Sequence, residues 1–196
     1  MPHSLSILTF VLLLSCLLSF AWAMKHFFTQ PTGSSFGMRL IKISGIVFGI
    51  LHVHGVLTTP SDWQYAFAGW AIYCVSLALF WWTLQTNRRT ALSAAFSVDT
   101  PQHLVTSGPY RYVRHPFYTS YMLAWTAGAV TTQDTLLVAS AVFMAAVYWV
   151  AAVIEERKFE DSELSAAYRA YRLRTGRFLP DVLKWSAGRV RESVPQ

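Results

Sequence analysis

Five apolar stretches, separated by shorter polar segments, dominate the chain, and each of them predicts an α-helix. A helix that crosses the hydrocarbon core of a membrane needs about 20 apolar residues. The fourth stretch is shorter and runs into the polar segment 131–134, which favours a tight helical hairpin with the fifth. The stretches cover residues 5–23, 40–57, 63–84, 117–131 and 135–154.

This pattern predicts an all-α integral membrane protein with five transmembrane helices, of which the last two form a helical hairpin. Residues 1–196 then make a single membrane domain. Its parts are three N-terminal spans (1–84), a core that carries the polar motifs (85–180) and a tail (181–196). The core contains the long connection 85–116 and, after the last span, an amphipathic helix.

Composition agrees with a membrane protein. Apolar residues make up 54% of the chain and charged residues 13%, compared with about 25% charged residues in soluble domains. The net charge of +6 lies beside the apolar spans, so we expect membrane lipids with anionic headgroups as partners, and no nucleic acid. Cys16 and Cys74 lie inside apolar runs, and neither a disulfide framework nor a metal site is predicted.

The distribution of basic residues predicts the orientation. With five spans, all 16 Lys and Arg residues fall on one side of the membrane or at its mouth. The positive-inside rule then places the N-terminus outside and the C-terminus in the cytoplasm, in an inner or plasma membrane. A cleaved signal peptide over 1–23 is the alternative. It would leave Lys25 and Arg39 outside, so we expect a retained first span.

The polar run HLVTSGPYRYVRHPFY, residues 103–118, indicates a functional loop. Long loops are usually functional or disordered, and this one carries Gly108 and Pro109 as a turn signal. Pro116 suits the first position of a helix, where its missing N–H costs nothing. The fourth helix therefore begins at about His115, with N–H groups that can receive a carboxylate. Arg114 and His115 lie at this helix mouth, and Tyr118 follows one turn later.

Two adjacent carboxylates end the fifth apolar stretch. Glu155 and Glu156 point about 100° apart on a helix, so one can face the loop while the other pairs with Arg157, Lys158 or headgroups. If the helix continues, Leu164, Tyr168 and Tyr171 form an apolar stripe that lies on the membrane or against the loop. His52 and His54, two residues apart in the second span, face different sides of a helix and suit structural contacts better than one metal.

These motifs resemble the isoprenylcysteine carboxyl methyltransferase and phospholipid methyltransferase superfamily. The resemblance covers residues 100–180 and lies in the run HLVTSGPYRYVRHPFY, in EERKF and in YRAYRLRTGRFLP. Members are integral membrane enzymes that use S-adenosylmethionine. The resemblance implies a methyltransferase that acts on a lipophilic acceptor such as a prenylcysteine carboxylate or a lipid. The oligomeric state is left open.

The resemblance also implies roles for individual residues. Arg114 and Glu156 form the expected catalytic set. As a hypothesis about mechanism, Glu156 or His115 is the nearest base for an acceptor that has to lose a proton. Arg174, Arg177 and Pro180 match the closing segment of the family pattern. The expected contacts with S-adenosylmethionine are Gln102, His103, Leu104, Val105, Tyr110, His115, Pro116, Tyr118 and Glu155.

Two other functions stay open at this point. A membrane reductase of the sterol-reductase type would bind NADPH in a similar C-terminal hairpin. A non-catalytic membrane scaffold would keep the helices without the chemistry. Binding of S-adenosylmethionine or of NADPH separates the three hypotheses.

Overall fold

The structure is a computed structural model that describes residues 2–29, 36–87, 92–93 and 103–181. Gln102 and residues 182–196 lie outside the described residues, as do parts of the loop 85–116. The described chain contains six α-helices, one 3₁₀ turn and one pair of two-residue strands. The helices are α1 (Pro2–His26), α2 (Phe36–Thr58), α3 (Trp63–Thr86), α4 (Pro116–Thr132), α5 (Thr135–Glu160) and α6 (Ser165–Arg172).

The predicted all-helical architecture is confirmed, with one small addition. The strands β1 (Phe28–Thr29) and β2 (Leu92–Ser93) pair in parallel and join the end of α1 to the loop after α3. Four of the described helices, α1, α2, α3 and α5, are long and apolar enough to cross a membrane. Helix α4 has only 17 residues, about 25 Å at 1.5 Å per residue, so the number of five crossing helices stays a prediction.

Helix α4 is the central element of the bundle. Thirteen of its 17 residues are buried, and they point in all directions around its axis. It packs most extensively against α3 and next against α5. Its aromatic side chains, with Phe80 of α3 and Tyr148 of α5, form the larger of the two hydrophobic cores among the described residues. A helix surrounded in this way holds the residues at its N-terminus in defined positions.

The hairpin between α4 and α5 is as tight as the sequence predicts. Gln133 ends α4 in the left-handed conformation with φ of 55°. Asp134 is the N-cap of α5, and its carboxylate accepts hydrogen bonds from the backbone N–H of Leu136 at 2.7 Å and of Leu137 at 3.3 Å. The short turn makes α4 and α5 antiparallel neighbours, so the N-terminus of α4 lies beside the C-terminus of α5.

The segment after α5 packs against the loop. Helix α5 continues six residues beyond the apolar stretch 135–154 and ends at Glu160, and α6 follows after a short turn. Tyr168 stacks on Phe159 with ring centres 4.9 Å apart, and the Tyr171 hydroxyl donates to the carbonyl of Tyr110 at 2.7 Å. The sequence left open whether the stripe with Tyr168 and Tyr171 lies on the membrane or against the loop, and in the structure Tyr171 contacts the loop.

The two histidines of α2 differ in environment. His52 is fully buried, its Nε2 lies 2.9 Å from the Ser140 hydroxyl of α5, and its ring packs edge-on against Trp125 of α4. His54 is exposed. His52 therefore links α2, α4 and α5, which agrees with the structural role expected for it.

Gly108 offers a test of how the loop is attached to α3. It begins the 3₁₀ turn Gly108–Arg111 with φ of 59°, and an added Cβ would lie 2.3 Å from Oγ1 of Thr86. We expect Gly108→Ala to lower the free energy of unfolding by at least about 1–2 kcal/mol, the cost of a left-handed L-residue. Thermal unfolding in detergent measures it. The control Gly45→Ala, which meets no atom within 4 Å, should stabilise α2 slightly; equal losses in both variants would contradict the prediction.

Candidate active site

Four segments meet at one end of the bundle: the end of the loop, the start of α4, the last turns of α5 and the C-terminal segment 173–178. Backbone hydrogen bonds hold the loop and the C-terminal segment side by side. The N–H of Arg114 donates to the carbonyl of Gly176 at 2.9 Å, and the N–H of His115 donates to the carbonyl of Arg177 at 3.1 Å. The Thr119 hydroxyl adds a bond to the carbonyl of Phe178 at 3.0 Å.

Glu156 is the centre of a buried ion-pair cluster. Its side chain is only 5% exposed. The Nε of Arg114 donates to Oε1 at 3.0 Å, and Arg177 donates to both carboxylate oxygens, from Nε at 3.0 Å and from Nη2 at 2.8 Å. Both guanidiniums are permanently charged, so they compensate the cost of burying this carboxylate.

Glu155 is the more open of the two glutamates. Its side chain is 28% exposed, and it accepts a hydrogen bond from the Tyr118 hydroxyl. The two adjacent carboxylates diverge, as the helical geometry predicts, yet both reach His115. Nδ1 of His115 lies 3.4 Å from Glu155 Oε2, and Nε2 lies 3.2 Å from Glu156 Oε1.

A stack of rings lines the cluster on the side of the bundle core. His115 stacks on Tyr118 with ring centres 5.6 Å apart, and Tyr118 stacks on Tyr148 at 5.5 Å. Tyr121 packs beside both tyrosines. Its buried hydroxyl has no hydrogen-bond partner among the described residues. Aromatic faces attract cations, and this unused hydroxyl can bind a polar ligand.

Tyr110 is held from two other elements. The amide of Asn87, the buried C-cap of α3, donates to the Tyr110 hydroxyl at 3.0 Å and to the carbonyl of Thr83 at 2.7 Å. Tyr171 binds the Tyr110 carbonyl from α6. Burial raises the pKa of the Tyr110 phenol above its usual value, and the hydrogen bond from Asn87 only partly offsets that effect, so this phenol stays neutral.

The structure brings together most of the residues that the sequence singled out. Arg114, His115, Tyr118, Glu155 and Glu156 form one connected cluster, and Pro116 is the first residue of α4, as predicted. His103 is exposed, while Leu104 and Val105 are half-buried in the irregular segment before the 3₁₀ turn. Their contacts with a cofactor stay predictions, and so does that of Gln102.

Three residues of this region were not predicted from the sequence. Asn87 looks like an ordinary helix cap, and Tyr121 and Tyr148 look like two of many aromatic residues in apolar helices. None of them carries a local signal, because their roles come from contacts with Tyr110 and Tyr118. Among the residues that the structure describes, no group of three or more His, Cys, Asp or Glu side chains could hold a metal ion.

Comparison with known protein families matches residues 63–163 to the family described as phospholipid methyltransferase. The match covers 101 of the 196 residues. It begins at the first residue of α3, includes the loop, α4 and α5, and ends before α6. Arg177 therefore completes the cluster from outside the matched region. No curated protein matches the chain.

Proposed function

The chain belongs to the phospholipid methyltransferase family, and from this premise we propose that it transfers the methyl group of S-adenosylmethionine to a lipophilic acceptor. Four apolar helices agree with an integral membrane protein. The observation that carries the proposal is the cluster at the start of α4. It combines one partly exposed carboxylate, aromatic faces and hydrogen-bond donors at one end of the bundle.

The residues present fit S-adenosylmethionine. The partly exposed Glu155 carboxylate suits the ammonium group or the ribose hydroxyls, and the hydroxyl of Tyr121 is buried without a partner among the described residues. Tyr148, at the end of the ring stack away from His115, contributes an aromatic ring that suits a sulfonium. When bound, this cofactor supplies an electrophilic methyl group, which an acceptor takes by in-line displacement as the bond from sulfur to that carbon breaks.

The protein contributes mainly alignment and exclusion of water, which can lower a barrier by about 7–11 kcal/mol. We propose that Glu155 and Tyr118 orient the donor. Arg114 and Glu156, the expected catalytic pair, are engaged with each other, and Arg114 also donates to the carbonyl of Thr175. Both oxygens of Glu156 accept from Arg177. We therefore propose that this pair holds the loop and the C-terminal segment in position and does not take up a proton. An acceptor that is already ionised, such as a carboxylate, suits this site best.

The acceptor is proposed to reach the site from the bilayer. Trp149 on α5 is 53% exposed, and Arg177 lies over its ring with its central carbon 4.6 Å from the ring centre. The exposed ring of Trp149 therefore gives α5 an apolar outer surface that extends to Arg177, a member of the ion-pair cluster. A lipophilic molecule can approach along it without leaving the membrane. The basic residues around the site support a cytoplasmic location for it, with the N-terminus outside.

The test is calorimetric titration of the full chain in detergent with S-adenosylmethionine and, in parallel, with NADPH. We expect S-adenosylmethionine to bind and NADPH to give no heat of binding. Binding of NADPH alone would overturn the proposal in favour of a reductase. If neither binds, the titration is repeated in nanodiscs, where a second failure would favour the scaffold. With binding established, transfer of a radiolabelled methyl group to a lipid extract identifies the acceptor class.

A further inference from the structure

We propose that His115 is a cationic positioning residue, protonated on both ring nitrogens, that joins the two glutamates and orients Glu155. This inference deepens the proposed function, and it rests on that function only where Glu155 is taken as the cofactor contact. It excludes His115 as the proton acceptor of the reaction. It also explains why two adjacent glutamates that point in different directions belong to one site.

The positions of the two ring nitrogens support the proposal: one makes a hydrogen bond to Glu156 and the other lies at ion-pair distance from Glu155. Nδ1 of His115 faces an oxygen of Glu155 at 3.4 Å, and Nε2 faces an oxygen of Glu156 at 3.2 Å. An ionised carboxylate only accepts hydrogen bonds, and both nitrogens of an imidazole are donors only in its cationic form. A neutral His115 would leave one nitrogen as an acceptor that points at a carboxylate oxygen, which is repulsive.

The surrounding charges favour the proton on His115. Helix α5 contributes Glu155 and Glu156, the loop contributes Arg114, the C-terminal segment contributes Arg177, and α4 contributes the neutral Tyr118. Both guanidiniums bind Glu156, whereas the ion-pair contact of Glu155 is with His115, so a proton on His115 places a positive charge beside that second carboxylate. Because Glu156 is already bound by both arginines, it stays ionised. The alternative is a proton on Glu155. It is less favourable, because the Oε1 of Glu155 already accepts a hydrogen bond from Tyr118 and its carboxylate is the more exposed of the two, so both features stabilise its ionised form.

Packing prevents the imidazole from turning towards a substrate. Its ring stacks on Tyr118, with 14° between the ring planes, and Phe178 packs on it with ring centres 5.9 Å apart. The backbone N–H of His115 is bound to the carbonyl of Arg177. A stacked imidazolium gains cation–π attraction. The ring is therefore held between two carboxylates and two aromatic rings, as a positioning residue requires.

The expected pH dependence has a defined sign. Burial opposes the charge on His115, but the hydrogen bonds and charges of Glu155 and Glu156 outweigh it and raise the pKa of the imidazole above its usual 6.5. Because the pKa is raised, the contacts of cationic His115 with Glu155 and Glu156 are complete below pH 6.5. They are lost as the pH rises through the pKa that His115 has in the folded protein. We expect cofactor affinity to be highest below pH 6.5 and to weaken as the pH rises through the raised pKa of His115.

Nitrogen NMR of the full chain, labelled with ¹⁵N-histidine and reconstituted in nanodiscs without cofactor, tests the proposal directly. The variant His115→Gln assigns the resonances. We expect both ring nitrogens of His115 to carry a proton at pH 7, and Glu155→Gln to move their deprotonation to lower pH. His54→Gln, at an exposed site on α2, should leave the His115 signals unchanged. One unprotonated His115 nitrogen at pH 7 would overturn the proposal, as would an unchanged titration in Glu155→Gln.

The two proposals can fail separately in this design. If S-adenosylmethionine does not bind but both His115 nitrogens are protonated, the proposed function fails and the inference about His115 stands. If the cofactor binds and His115 is neutral at pH 7, the inference fails alone. A purely structural histidine would leave the pH dependence of S-adenosylmethionine affinity unchanged when it is replaced. Calorimetric titration of the unaltered protein and of His115→Gln at several pH values therefore separates positioning from mere support of the fold: the decrease in affinity at high pH should be absent in His115→Gln.

Discussion

Replacing Glu156 by alanine is expected to destabilise the folded protein by about 3–5 kcal/mol, the usual cost of removing one partner from a buried ion pair. The loss is large because three groups depend on this carboxylate. Arg114, Arg177 and His115 would be left close together without it. The loop and the C-terminal segment would then repel each other. Thermal unfolding in detergent, followed by tryptophan fluorescence, should show a decrease in Tm of about 10 °C.

Glu160→Ala is the matched control for that experiment. It removes a glutamate from the same end of α5, but the ion pair that Glu160 makes with Arg172 is exposed. The Glu160 side chain is 38% accessible and the Arg172 side chain 48%. Exposed pairs contribute no more than about 1 kcal/mol, so Tm should change by only a few degrees. Similar effects of the two substitutions would contradict a special role for the buried cluster.

Replacing Glu155 by glutamine is expected to weaken S-adenosylmethionine binding about 10- to 150-fold. A hydrogen bond to a charged group contributes about 1.5–3 kcal/mol, and the amide keeps the size of the carboxylate but not its charge. The fold should survive, because an amide oxygen still accepts from the Tyr118 hydroxyl. Calorimetric titration at fixed pH and salt measures the change in Kd, and circular dichroism verifies that the helices remain.

The control for this substitution is Glu163→Gln. Glu163 is exposed in the turn between α5 and α6, so its replacement changes the net charge equally without touching the cluster. Its Kd should match that of the unaltered protein. An unaltered Kd in Glu155→Gln itself would remove Glu155 from the residues that bind the cofactor, and the site would have to be sought elsewhere along the loop.

The helices could be predicted from the chain alone because apolar length and turn signals are local properties. The start of α4 at Pro116 and the turn at Gly108 follow from the conformational limits of proline and glycine. The sequence left open whether the fifth helix ends with its apolar stretch at 154 or continues into the charged segment. In the structure it continues to Glu160, and a separate helix, α6, carries the tyrosines. Within the described residues, four helices are long and apolar enough to cross a membrane, and α4, with 17 residues, is not among them.

Most residues of the site were recognisable in the sequence, but the different roles of Glu155 and Glu156 were not. Because Glu155 and Glu156 point about 100° apart on the helix, their side chains must have different surroundings. The rotation of α5 about its axis decides which of the two is buried. That rotation comes from packing against α4. Glu156 meets Arg114 across 42 residues of sequence, and Arg177 comes from 21 residues further along. Sequence patterns therefore specify the elements and the chemistry available, whereas which carboxylate is buried depends on contacts between distant segments that form only when the helices pack.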